Sequence, residues 1–162
     1  MSEHFLPRRP SAVAPRLFAL VALGAWLGCA AEAEAPEPEL LVSEDRFRVL
    51  LASDSPSAAD QAGELRVTVE TTGGWHVAEE APARLDLTAP ATMAFEPAEL
   101  RQSEVRAKHE NGFEFVTKLF AEAPGGGVAQ GLLKFGICED DESQCVIVRR
   151  DLTLPIDVAF EN

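Results

Sequence analysis

The sequence predicts an all-β fold, an antiparallel β-sandwich, on three observations. Apolar and polar residues alternate in short runs from Glu44 onward, turn-forming residues separate the runs, and no window of a dozen residues carries an apolar stripe of helical period. A period of two places successive side chains on opposite faces of a strand, so each run can bury one face and wet the other. Seven or eight short strands within about 120 residues pack most simply as two sheets around one core.

The chain opens with a segment that does not belong to that fold. Arg8, Arg9 and Arg16 precede "LFALVALGAWLGC", an uncharged apolar run ending at Cys29. A positive stretch, a short greasy run and small residues beyond it describe an export signal over residues 1–28, and the apolar part is short for a permanent membrane helix. "WLGC" resembles the lipobox of bacterial lipoproteins, in which a small residue precedes the cysteine that is cut and acylated. Gly28 and Cys29 match it, while Trp26 and Leu27 depart from it, so cleavage near "CAAEAEA" to give a soluble periplasmic protein is the alternative. The resemblance implies a lipid anchor at Cys29, and several acyl chains hold a protein firmly where one holds it marginally. The expected location is the periplasmic face of a bacterial membrane, the outer membrane before the inner.

"AAEAEAPEPE", residues 30–39, has four glutamates, two prolines and no aliphatic residue larger than alanine, so it is expected to be an extended tether rather than core. The expected organisation is a signal over 1–28, an acylated cysteine and tether over 29–43, and one folded domain over 44–162. Without residues 1–28 the chain keeps 11 basic and 26 acidic residues, a net charge of −15. Such a surface repels nucleic acid and anionic lipid, and otherwise serves solubility.

Each predicted strand has its own inward set. "ELRVTVET" turns Leu65, Val67 and Val69 to one face, "RLDLTAP" turns Leu85 and Leu87, and "GFEFVTKLF" turns Phe113, Phe115, Thr117 and Leu119. "LLKFGIC" does the same with Leu133, Phe135 and Ile137, and "DLTLPIDVAF" with Leu152, Leu154, Ile156 and Val158. Thr72-Gly73-Gly74 ends one strand, and Asn111-Gly112 predicts a hairpin because both residues tolerate positive φ. Pro124 and Gly125 to Gly127 are expected to break the chain before Val128. Pro155 lacks an N–H and has to sit on an edge strand or at a bulge.

Cys138 closes one strand and Cys145 opens the next, with six residues between them of which four are acidic. Once Cys29 carries lipid, this pair is alone in an oxidising compartment and is expected to be bonded. Facing positions on neighbouring strands bring α-carbons within the bonding range of about 4.4–6.8 Å. Closing a ring of about eight residues contributes roughly 2.5 kcal/mol by loop entropy. Glu139, Asp140, Asp141 and Glu142 oppose a thiolate, which makes the pair a sluggish nucleophile and a poor leaving group unless a cation such as Arg149 or Arg150 lies close. Composition alone therefore favours a structural staple.

"GGWHVAEEAPARLDLTAP" and "LLKFGICEDDESQCVIVRRDLTLPI" together resemble the amino-terminal periplasmic domain of DsbD over roughly residues 44–160. The resemblance rests on a Gly-Trp-His segment before a proline-containing strand and on a late strand that ends in the first cysteine of a short loop. It implies an immunoglobulin-like sandwich in which Cys138 and Cys145 relay electrons from a membrane partner to periplasmic oxidoreductases; apart from the resemblance, His76, Trp75 and Arg149 are the candidates for supporting residues around the pair. The match departs from the family in three places. The loop has six residues rather than about five, Val146-Ile147 replace an aromatic and prolines, and "ELRQSEVRAKHE" offers Leu100 but no aromatic cap. The membrane-spanning and thioredoxin-like parts of that family are also missing from this sequence.

The remaining candidates are weaker. Trp75 is expected in the core, its indole N–H needing one acceptor; His76 alternates away from it, either near the cysteine loop or simply on the surface; His109 is expected in solvent. Zinc would need three or four ligands that the spacing does not supply, and "EDDES" lacks the alternation and central glycine of a calcium loop. The glycine run is not followed by Lys-Ser/Thr, so it is no phosphate cradle. No cofactor is implied. The sequence thus suggests a monomeric thiol–disulfide exchange module meeting another exported thiol protein, or else a non-catalytic binding domain with a structural hairpin disulfide, and it leaves open which cysteine is attacked.

Overall fold

A computed structural model describes residues 36–160 apart from Asp60 and Glu110. The expected signal, Cys29 and most of the tether lie outside the described residues. Among the described residues no helix is long and apolar enough to cross a membrane.

Two antiparallel sheets form a sandwich, as the alternation predicts. One contains β1 (Glu39–Ser43), β2 (Phe47–Asp54), β3 (Gly63–Thr71), β9 (Gly112–Ala121) and β6 (Met93–Glu96) in that order, with β8 (Val105–His109) also paired to β9. The other runs β11 (Cys145–Val158), β10 (Gly125–Glu139), β5 (Arg84–Thr88), β7 (Glu99–Arg101), with β4 (Trp75–Val77) paired to the cysteine end of β10. The count exceeds the expected seven or eight because β4, β6 and β7 span only three or four residues, too few for a period to show.

The inward sets meet in one core. Leu65, Val67, Val69, Phe113, Phe115 and Leu119 of the first sheet, and Leu85, Leu133, Phe135, Ile137, Leu152 and Leu154 of the second, are all buried. Phe135 is the keystone between layers, its ring standing edge-on to Phe47 at 5.2 Å and to Phe113 at 5.7 Å, the T-shaped geometry that aromatic quadrupoles favour. Thr117, the one polar residue of its inward set, is buried and donates its hydroxyl to the Pro97 carbonyl at 2.6 Å.

Three expectations need correction. The sheet starts at Glu39, inside the segment read as tether, because Leu40 and Val42 pair across β2 with Leu50 and Val49. The glycine run does not break the chain: Gly125 to Gly127 begin β10, paired with Ile156 to Val158, and a Cβ on Gly127 would stand 3.0 Å from Met93 and 3.1 Å from Pro90. Trp75 is half-buried rather than enclosed, since β4 lies at the end of the sandwich, where the Arg46 guanidinium covers its ring at 5.3 Å. His109 is exposed beside the predicted hairpin, where it pairs with Gly112.

Candidate functional site

The site is built on the β10–β11 hairpin. Fourteen consecutive pairs run from Gly125↔Val158 to Cys138↔Cys145 without a register shift. The Glu139 N–H donates to the Gln144 carbonyl at 2.9 Å. Odd-numbered β10 residues therefore bond to β11, and even-numbered ones face the opposite neighbour. Two bonds on that other side agree: Ala78 N–H donates to the Gly136 carbonyl, and Asp140 N–H to the Gly74 carbonyl, both at 3.0 Å.

Cys138 and Cys145 form a disulfide with α-carbons 4.0 Å apart, slightly shorter than the expected range. Both cysteines stand on the outer face of their sheet, because Ile137 and Val146 take the inner one. Their surroundings differ. Cys138 is buried at 7% exposure between β4 and β11, whereas Cys145, on the edge strand, is exposed.

The loop that joins them is ordered by its own polar groups. Glu142 N–H donates to the Glu139 carbonyl at 2.8 Å, Glu142 takes a left-handed φ of 59°, and Ser143 N–H donates to the Asp141 carboxylate at 2.9 Å. That bond holds the Asp141 carboxyl below its usual range. Ser143 also donates its hydroxyl to Glu139. The acids thus spend part of their hydrogen-bonding capacity on the turn, and among the described residues no group of three or more His, Cys, Asp or Glu side chains is placed to hold a metal.

His76 pairs with Cys138 across the β4–β10 ladder, so one transverse row reads His76, Cys138, Cys145. Its Nδ1 lies 3.6 Å from an Asp140 carboxylate oxygen. A cleft of about 800 Å³ opens over the row, lined by His76, Ala78, Glu79, Glu80, Glu142 and both cysteines. Of the two positions open to His76 in the sequence, the structure selects the one beside the disulfide.

Arg149 is not where a thiolate would need it. It lies four residues beyond Cys145 on the same strand, roughly 13 Å along it at the rise of an extended chain, and lines a separate cleft with Arg84, Asp86, Leu132, Lys134 and Ile147. Arg150 points to the other face and binds Glu44 through Nε at 2.6 Å and Nη2 at 2.9 Å. Leu100 is fully buried and is no cap over the cysteines. The segment that does cross beside them is Ala78 to Ala81: a Cβ on Gly136 would stand 2.2 Å from the Ala81 Cβ. An isolated glycine inside a strand pattern signals such a close approach, and Gly136 was the available cue.

No family model matches the chain, and no curated protein matches it. Among solved structures it is similar to the N-terminal periplasmic domain of ScsB from Proteus mirabilis, at 16% identity and a TM-score of 0.42. The match covers 75% of this chain and 51% of that one, so the chain spans about half the length of that structure.

Proposed function

We propose that the chain is an exported thiol–disulfide exchange module that passes electrons between another exported thiol protein and the Cys138–Cys145 pair, from a lipid anchor at Cys29. The observation that supports this reading is the asymmetry of the disulfide: one sulfur-bearing residue is exposed in a cleft, and the other is buried beside a histidine. A partner thiolate attacks the Cys145 Sγ, the new sulfur–sulfur bond forms there, and the Cys138–Cys145 bond breaks with its electron pair on the Cys138 Sγ. His76, the cross-strand neighbour of Cys138, is the ring N–H donor placed on the side of that departing thiolate, against the acidic loop. A second thiolate of the partner then attacks the mixed disulfide and releases Cys145. The partner leaves with a disulfide, and this chain keeps two thiols.

A staple alone is a weak use of this bond, because the hairpin is already zipped by a long uninterrupted ladder. The acidic loop is the feature that favours the second reading, a non-catalytic domain with a structural disulfide. Trapping in cells separates the two. Cys138→Ser retains the exposed sulfur without its resolving partner and is expected to accumulate mixed disulfides with exported proteins, whereas Cys145→Ser accumulates few. If neither variant traps a protein and the folded wild type resists millimolar dithiol, the exchange reading fails.

A further inference from the structure

We infer that the partner engages this site by strand addition: an extended, cysteine-bearing segment pairs antiparallel with the edge of β11 that is free among the described residues, over Cys145 to Ile147, its cysteine opposite Cys145, an apolar residue opposite Ile147 and an acidic side chain beyond it reaching the Arg149 guanidinium. The inference rests on the exchange reading above and names the chemistry of the partner.

The register supplies the first ground. Cys145, Ile147 and Arg149 fall at positions that do not bond to β10, so their N–H and C=O groups point away from the sheet. β11 is the end strand of its sheet. Farther along the strand the same edge is closed. Pro155 occupies an outward position and carries no donor, and the Asp157 carbonyl accepts the Ser55 hydroxyl at 2.8 Å. The Arg149 carbonyl accepts Nη1 of Arg150 at 2.7 Å. Proline, charge and covering side chains are the usual protections of a sheet edge, and here they stop short of the cysteine.

Alignment of the reacting atoms is the second ground. Thiol–disulfide exchange needs the incoming sulfur in line with the bond it breaks. The row His76, Cys138, Cys145 runs across the strands. A strand added beyond β11 extends that row by one position, roughly 4.8 Å on. Its cysteine approaches Cys145 from the side opposite Cys138, the departing sulfur.

The third ground is charge. Two rows down, Arg149 pairs with Lys134, Lys134 with Arg84, and Arg84 with Arg101, a transverse line of four cations in a chain of net charge −13. Like charges directly opposite one another destabilise a sheet. Asp86 and Glu99 neutralise Arg84 and Arg101, while Lys134 and Arg149 take part in none of the ion pairs among the described residues. Between the two rows Ile147 is 56% exposed, over a cleft floored by Leu132. A carboxylate two positions ahead of an apolar residue in the incoming segment answers the unpaired cations while the apolar residue covers Ile147.

The test uses the full chain, oxidised, and three blocked peptides of equal net charge. Glu-Thr-Leu-Thr-Cys is in phase with the edge; Thr-Glu-Thr-Leu-Cys moves the acid and the leucine to the wrong face; the third is the in-phase peptide methylated on the leucine nitrogen. Second-order rates of mixed-disulfide formation at Cys145 are read by mass spectrometry, with 2-mercaptoethanol as a small-thiol reference. The in-phase peptide is expected to react about tenfold faster than either control, the worth of one or two added hydrogen bonds plus a charge contact. Ile147→Pro removes an outward N–H without costing a ladder bond, as Pro155 already does, and is expected to abolish the preference among the three peptides, each rate being taken relative to that of 2-mercaptoethanol on the same variant. Equal rates for all three peptides overturn strand addition and leave the exchange reading standing. A disulfide that none of the peptides or the small thiol opens overturns both.

Discussion

At its far end β11 carries Pro155, a carbonyl tied to Ser55, and a partner strand that begins in three glycines, the last of them against Met93 and Pro90. At its near end the same strand offers an exposed cysteine, an exposed isoleucine and backbone groups that point outward. The two ends share one ladder and one alternation, so secondary structure does not distinguish them. What differs is the treatment of the unpaired side: closed where pairing with another chain would serve nothing, open beside the disulfide. An unprotected edge is a liability unless something is meant to occupy it.

The largest expected effect tests the near end's packing. Gly136→Ala drives a methyl into Ala81, and overpacking of this kind costs about 3 kcal/mol. Urea unfolding of the oxidised variant measures it, and a loss under about 0.5 kcal/mol would show that the Ala78 to Ala81 segment does not lie against β10. Next comes the covalent bond. Reducing the disulfide is expected to lower stability by about 2.5 kcal/mol with no change in the far-ultraviolet circular dichroism, because the hairpin ladder persists. In the reduced protein, alkylation followed by peptide mapping should find Cys145 modified well before buried Cys138; equal labelling would erase the asymmetry between the two sulfurs.

A smaller effect separates the outer face from the inner. Arg150 holds the Glu44 carboxyl below its ordinary 4.5, first through their hydrogen bond and then through charge, against the cost of burial. A depressed carboxylate stabilises the fold fully at pH values above the unfolded pKa, and that contribution fades as pH falls through the lower folded value. The pair is partly exposed, so Glu44→Gln is expected to cost about 0.5 kcal/mol at pH 7. The difference from wild type should shrink below pH 4.5 and be unchanged at pH 9, as followed by thermal melts across that range. Smallest of all, Pro155→Ala should leave monomer stability within about 0.5 kcal/mol, since no ladder donor is gained toward β10. It should also raise concentration-dependent association, seen by light scattering, because the far edge then resembles the near one.

The long strands were legible because their burial repeats: Leu65, Val67 and Val69, or Leu152, Leu154 and Ile156, can be assigned a face without coordinates. Pro155 likewise announced an edge. The disulfide followed from two cysteines at a strand end and a strand start. The position of His76 did not, since β4 is three residues long and its register against β10 is a tertiary fact. Arg149 and Arg150 are adjacent in sequence, yet alternation sends one to the outer cleft and the other to Glu44, so neither reaches the sulfurs. Glycine runs read as breaks in sequence because they lack packing information; β10 keeps this one extended by pairing with Ile156 to Val158, with Gly127 close against Met93.

Cys138 has a bonded strand on each side of it. Opening the sulfur bridge releases a side chain and leaves the main chain tethered left and right, so oxidised and reduced forms share one outline. In the exchange proposed above, each cycle then completes without rebuilding the fold. Its memory of which state it is in resides in two atoms, and any protein that must tell the states apart has to sense them at contact distance.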